Sequence, residues 1–190
     1  MPRIAEDGSA PSWDQLWEVA AAQMGYFTVA QADEAGFSRP LLQYHLRSGT
    51  LERSGRGVLR LARFPVGEHE DLMPLWLWAG GEGAFSHETA LSLHELSDAL
   101  PATRHMTVPS GWKARRLRVP KGLVLQYDDL DEGEVEWLGA ITITAPLRTV
   151  VDCMVDEVQP ELVKQALDQG VRRGAFTRAD VRRAVKERRG

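Results

Sequence analysis

The 190-residue sequence predicts an α+β protein in two domains. Three observations carry that prediction. Helical spacing of apolar residues, punctuated by glycines, runs from Ser12 to Gly49. Two short β-rich runs flank Ser54-Gly55-Arg56 directly after it. Beyond Leu100-Pro101 the pattern alternates like strands, then returns to helical spacing from Pro146 onward. A short helix, a glycine turn, a second helix and a basic two-stranded ribbon form the order of a winged helix-turn-helix, a shape that places one helix in a DNA major groove. The expected domains are residues 1–64, the winged helix-turn-helix, and 68–190, a mixed α+β domain with a small antiparallel sheet and C-terminal helices.

The elements follow in order. Residues 1–11 are polar and contain Pro, Gly and Ser, so they are expected to fray. Ser12 is placed to cap a helix over Trp13–Met24, with Trp13, Leu16, Trp17, Ala20 and Met24 as its apolar stripe and Gly25 as its stop. Those tryptophans are expected to pack against the next two helices rather than stack on bases. Thr28 caps a short helix to Ala35, Gly36 turns the chain, and Phe37 plugs the space between helices. Ser38 caps the next helix, where Pro40 is tolerated in the first turn.

On that helix, at ~100° per residue, Leu41, Leu42, His45 and Leu46 gather on one side. Arg39, Gln43 and Arg47 line up at i, i+4, i+8 on another, with Tyr44 beside them. Arg can bridge guanine O6 and N7, Gln can pair with adenine N6 and N7, and Tyr can reach phosphate. A solvated polar face has the same composition. The position after a glycine turn and before a basic loop favours recognition. Arg53, Ser54 and Arg56 in that loop would hold the sugar-phosphate backbone, and Thr28 and Ser38 would bring helix N-termini near phosphates. Arg60 and Arg63 either extend the charge or pair with Glu52.

The second domain is expected to open with an apolar helix over residues 70–79, then a Gly-rich loop and a helix from Ser86. Strands are expected at residues 103–108, 117–119, 123–127, 134–138 and 141–144, then helices at 147–157, 162–173 and 178–188. A second basic patch, Lys113, Arg115, Arg116 and Arg118, fits nucleic acid, an acidic partner, or a strand edge kept charged against aggregation. The acidic run from Asp128 to Glu136 fits a phosphate mimic, a divalent-ion site or a plain acidic turn. The basic terminal helix fits a further DNA contact or a solvated tail.

Composition sets the outer limits. The formal net charge is −4, with 43% apolar and 26% charged residues, which suits a soluble globular chain with localised rather than general basic surface. Cations concentrate at residues 28–63, 111–125 and 162–190. The longest apolar patch, Met73 to Ala79, is interrupted by Pro74 and falls far short of the ~20 residues that span a bilayer. The N-terminus lacks the apolar core of a secretory signal. A single cysteine, Cys153, excludes an internal disulfide and fits a reducing compartment. The expectation is a cytoplasmic protein without membrane contact. Gly80–Gly83 lacks the Gly-Lys-Ser/Thr of a phosphate loop, and neither a nucleophile elbow nor a zinc-ligand pattern occurs. No catalytic residue, cofactor or metal ligand is assigned, and enzyme activity is not expected.

Several segments carry a family likeness. Gly25-x-Phe-Thr-x-x-Gln-Ala32, Gly36-Phe-Ser38, Leu46-x-x-Gly49-x-Leu51 and Arg56-Gly-Val-Leu-Arg60 resemble the N-terminal winged-helix domain of AbiEi-type antitoxins of bacterial type IV toxin–antitoxin and abortive-infection systems. Phe85-Ser-His-Glu-Thr-Ala-Leu91, His94-Glu-Leu96 and Ile143-Thr-Ala-Pro-Leu-Arg-Thr-Val-Val-Asp152 resemble the second domain of that family, notably its actinobacterial branch. The resemblance implies a DNA-binding antitoxin that represses its own operon from an operator in double-stranded DNA. It also implies a second domain that counters a cognate nucleotidyltransferase toxin. The competing expectation is a protein-interaction module whose winged helix binds a partner protein.

Overall fold

The computed structural model describes residues 10–189; most of the segment expected to fray, and Gly190, lie outside the described residues. The chain divides into two compact units, Met1–Gly81 and Glu82–Gly190.

In the first unit Ser12 caps α1 (Trp13–Ala22), its Oγ accepting from the Gln15 amide at 3.2 Å. Met24 and Gly25 then adopt left-handed φ values of 53° and 87°, which break the helix. Only glycine fits at position 25: a Cβ there would lie 2.5 Å from the Phe64 ring. The chain leaves as β1 (Tyr26–Thr28), a strand that sequence periodicity missed because it is three residues long. Thr28 and Gln31 form a capping box for α2 (Val29–Glu34). Gly36, at φ 84°, turns the chain into α3 (Arg39–Arg47).

β2 (Leu51–Gly55) and β3 (Val58–Leu61) form a bulged hairpin. β1 joins it antiparallel, Phe27 opposite Leu59, giving a three-stranded sheet in the order β1-β3-β2 instead of a two-stranded ribbon. Leu16, Phe27, Phe37, Leu42, Leu51 and Leu59 form the core beneath α1–α3. Each such side chain stabilises by ~1.5–3 kcal/mol when fully buried.

The expected break at residues 64–68 does not coincide with the division after Gly81. α4 (Met73–Trp78), expected to open the second domain, packs on the sheet of the first unit and buries Met73 and Leu77. Arg60 fastens the approach to it. Its guanidinium is buried, donates to the Phe64 carbonyl at 2.9 Å, pairs with Glu70 at 3.2 Å and lies over the Tyr26 ring. It therefore neither extends the surface charge nor pairs with Glu52.

The second unit comprises β4 (Ala84–Phe85), α5 (His87–Leu93), β5 (Arg104–Val108), β6 (Leu123–Tyr127), β7 (Val135–Leu138), β8 (Ile141–Thr144), α6 (Pro146–Val155), α7 (Pro160–Arg172) and α8 (Arg178–Arg189). Its sheet runs β6-β5-β4-β8-β7. The expected antiparallel sheet is corrected: β4 pairs parallel with β8 and β5 parallel with β6, so the sheet is mixed. Two features hid this. β4 has only two residues, too few for a period. The expected strand at residues 117–119 is instead part of the connection between parallel β5 and β6, which begins with a 3-10 turn at Ser110–Ala114.

α6 is apolar apart from an ion cluster. Arg148 and Asp152 are both buried; Arg148 Nε meets Asp152 at 2.8 Å, one Nη reaches Glu134 at 2.8 Å and the other reaches Asp128. Arg188 of α8 pairs with the same Asp128 at 2.7 Å and with Asp152 at 3.3 Å. The acidic turn is thus an internal partner for two arginines. Burial alone would lower the Arg148 guanidinium, but Asp152 and Glu134 outweigh it and hold it more basic than usual. Among the described residues no helix is long and apolar enough to cross a membrane, and no cluster of three His, Cys, Asp or Glu is arranged to hold a metal ion.

Candidate nucleic-acid interface

α3 has the two faces its spacing predicts. Leu42 is buried, with Leu41 and Leu46 packed beside it, while Arg39, Gln43, Tyr44 and Arg47 are exposed, Tyr44 by 64%. Pro40 sits in the first turn, and Ser38 occupies the cap position without a side-chain hydrogen bond, leaving its hydroxyl uncommitted. Among the described residues, Arg39, Arg47, Arg53 and Arg56 make no ion pair or side-chain hydrogen bond. Arginines left unpaired in this way are available to an external acceptor.

The hairpin stands next to this helix in sequence and packs on it. Arg53 and Ser54 are exposed on β2, and Arg56 occupies the turn between Gly55 and Gly57. The Ser54 bulge twists the ribbon locally. The turn is tied to α2, since the Val29 amide donates to the Gly57 carbonyl at 2.9 Å. That bond occupies the first amide of α2, so Thr28 offers its hydroxyl proton and not an open helix N-terminus. The hydroxyl oxygen itself accepts from the Gln31 amide at 3.1 Å.

His45 supports α3 from below. Its ring meets Trp13 edge-on at 4.8 Å and Tyr44 at 5.2 Å. Burial holds the ring less basic than ordinary histidine. It packs as expected but is not fully hydrogen-bonded, because Nδ1 is buried without a partner. Trp13 also meets Phe37 at 4.8 Å, and Trp17 meets Phe64 at 5.5 Å, so both α1 tryptophans pack on the first unit although Trp17 remains half exposed.

The second basic patch lies in the other unit. Lys113, Arg115, Arg116 and Arg118 are all exposed. Arg115 stacks on Trp112 at 4.5 Å, and Lys113, Arg116 and Arg118 make no ion pair among the described residues. They border β6, an edge strand. Sequence reasoning misplaced Arg60, left Arg188 as a DNA contact or part of a solvated tail, and did not single out Arg148. The only local signal was the i, i+4 pair Arg148 and Asp152 on an otherwise apolar helix.

Residues 14–62, from α1 through β3, match the family model described as a transcriptional regulator, AbiEi antitoxin. The chain also matches the crystal structure of the RV2827C protein from Mycobacterium tuberculosis, with a TM-score of 0.60 and 14% identity over 96% of this chain and 74% of that one. At that identity the likeness is one of fold. No curated protein matches the chain.

Proposed function

We propose, from the AbiEi match over residues 14–62, that this chain is a sequence-specific DNA-binding regulator of the antitoxin type and not an enzyme. The observation that carries the reading is the free polar face of α3 beside a glycine-flanked arginine turn. As a winged helix-turn-helix, the first unit sets α3 in the major groove. Arg39, Gln43 and Arg47 read base edges, and Tyr44 reaches the adjoining phosphates. Arg53, Ser54 and Arg56 grip the backbone at the wing, while Thr28 and Ser38 donate hydroxyl protons to phosphate oxygens. Lys113, Arg115, Arg116 and Arg118 form the second basic patch of this reading. Acting in the cytoplasm, the protein represses its own operon and counters a nucleotidyltransferase toxin.

Gel shifts on the DNA upstream of its own reading frame test the assignment. Arg47→Ala is expected to weaken the specific site by ~1–3 kcal/mol. Arg56→Ala is expected to weaken all sequences alike and flatten the salt dependence. Unchanged affinity in the triple variant Arg39→Ala/Arg47→Ala/Arg56→Ala removes the helix and wing from the reading. Recovery of a basic protein partner, with no DNA shift even at low salt, replaces it with a protein-interaction module. Growth rescue on co-expression with an adjacent nucleotidyltransferase tests the toxin half.

A further inference from the structure

In the second unit, the apolar stripe of α7 is wider than the seam it buries. Ala166 and Gly170 are fully covered, while Val163 and Leu167 are only half covered and line a recess of about 740 Å3 between α6, α7 and α8. A second recess of about 490 Å3 continues it along α8, and Met154 is common to both. Val185 completes the apolar floor.

Cations flank that floor. Arg178, Arg182, Lys186 and Arg189 fall within an arc of ~80° on α8, at 100° per residue, and all four line the two recesses. Lys164 lines the larger recess from α7. Lys164, Arg182 and Lys186 make no ion pair among the described residues. Their neighbour Arg188 pairs inward with Asp128 and Asp152. α8 thus anchors itself through Arg188, and through Arg189, which donates to the Met154 carbonyl at 3.1 Å, while Arg182 and Lys186 stay unpaired over the groove. The acids present are Asp168, already paired with Arg178 at 2.5 Å, and Glu157.

We propose that this groove docks an amphipathic helix of a partner protein, with apolar residues at i, i+3/i+4 and i+7 against the floor and carboxylates along both flanks. Charge complementarity fixes the partner as acidic. The floor, made of Met154, Val163, Leu167 and Val185, offers no ring on which a base can stack, which disfavours nucleic acid. It is also recessed, which disfavours a flat bilayer. The surface does not depend on the DNA-binding reading, because no residue of α3 or the wing takes part.

The test uses the full chain and a labelled helical peptide of roughly 18 residues, Leu at the stated spacing and Glu on both flanks, beside a control with Lys for every Glu. Fluorescence polarisation is expected to give affinity at least about tenfold tighter for the Glu peptide. Arg182→Glu/Lys186→Glu is expected to abolish that preference and leave the DNA gel shift unchanged, and Arg47→Ala to do the reverse. Hydrogen exchange of the unaltered protein supplies a readout that needs no variant: the Glu peptide is expected to slow amides of residues 160–172 and 178–189. The proposal is overturned if the two peptides bind alike, if neither binds, or if protection falls elsewhere. It is equally overturned if the charge-reversed protein loses DNA instead of peptide, which makes the stripe a nucleic-acid contact.

Discussion

Two groups of arginines, one on α3 and the hairpin of the first unit and one against α6 in the second, are used in opposite ways. In the first, Arg39, Arg47, Arg53 and Arg56 stand in solvent, and the core beneath them is aliphatic and aromatic. In the second, Arg148 and Arg188 are turned inward onto Asp128, Glu134 and Asp152, and the stability of α6 and α8 runs through those contacts. An exposed charge contributes ~0–1 kcal/mol to folding, whereas removing one partner of a buried pair costs ~3–5 kcal/mol. Similar side chains are therefore free for an external anion around α3 and form an internal clamp around α6, as Arg60 does on a smaller scale with Glu70.

The strongest way to break this comparison is Arg148→Ala. It leaves the buried Asp152 carboxylate without its nearest cation and is expected to lower hydrogen-exchange protection of residues 146–155 and 178–189 by ~3–5 kcal/mol. The paired change Arg148→Met/Asp152→Leu is expected to recover most of that loss, and protection in α1–α3 should hold in both. Loss of protection in the first unit, or no loss anywhere, ends the clamp account.

A smaller effect belongs to the first unit. Gly25→Ala combines a left-handed φ with a clash on Phe64 and is expected to destabilise by about 2 kcal/mol or more, seen in the protection of α1 and β1. If Gly25→Ala is neutral, the packing of Phe64 over that turn is not as described.

The smallest effect is a dependence on pH. His45 prefers its neutral form in the folded unit because burial disfavours the imidazolium. Its stabilisation is present above the ordinary histidine value of ~6.5 and is lost as pH falls through the lowered folded value. In the second unit burial opposes ionisation of Asp128, but hydrogen bonds from Arg188 and Arg148 prevail and hold its carboxyl below the usual range. That contribution is present above about pH 4 and lost only below it. Asp152 works the other way, since burial raises its carboxyl despite both arginines, so the acid sensitivity of the clamp belongs to Asp128. Between pH 7 and 5 α3 is expected to soften before the clamp, as is β5 of the second unit, where burial and the neighbouring His87 lower His105 as well, and His45→Gln is expected to remove the step at α3. Softening that begins in residues 146–189 reverses the comparison.

Much of this was legible in the chain itself because the governing contacts are local. Ser12, Thr28 and Gln31 act on amides three residues away. The left-handed turn at Gly36 and the i, i+4, i+8 line on α3 likewise need only their own neighbourhood. So the helices, the exposed face of α3, the glycine-flanked turn and the AbiEi likeness of residues 14–62 could be read from residue order. What tertiary structure decided depends on partners distant in sequence. β1 and β4 are too short to form a period and exist only through pairing with β3, β5 and β8. The mixed direction of the second sheet follows from that pairing. α4 joined the first unit through apolar contacts beyond the expected boundary. Whether an arginine faces water or carboxylates was likewise decided by residues such as Glu134 and Asp128, 14 and 20 positions from Arg148, because burial and charge pairing depend on three-dimensional neighbours and not on spacing along the chain.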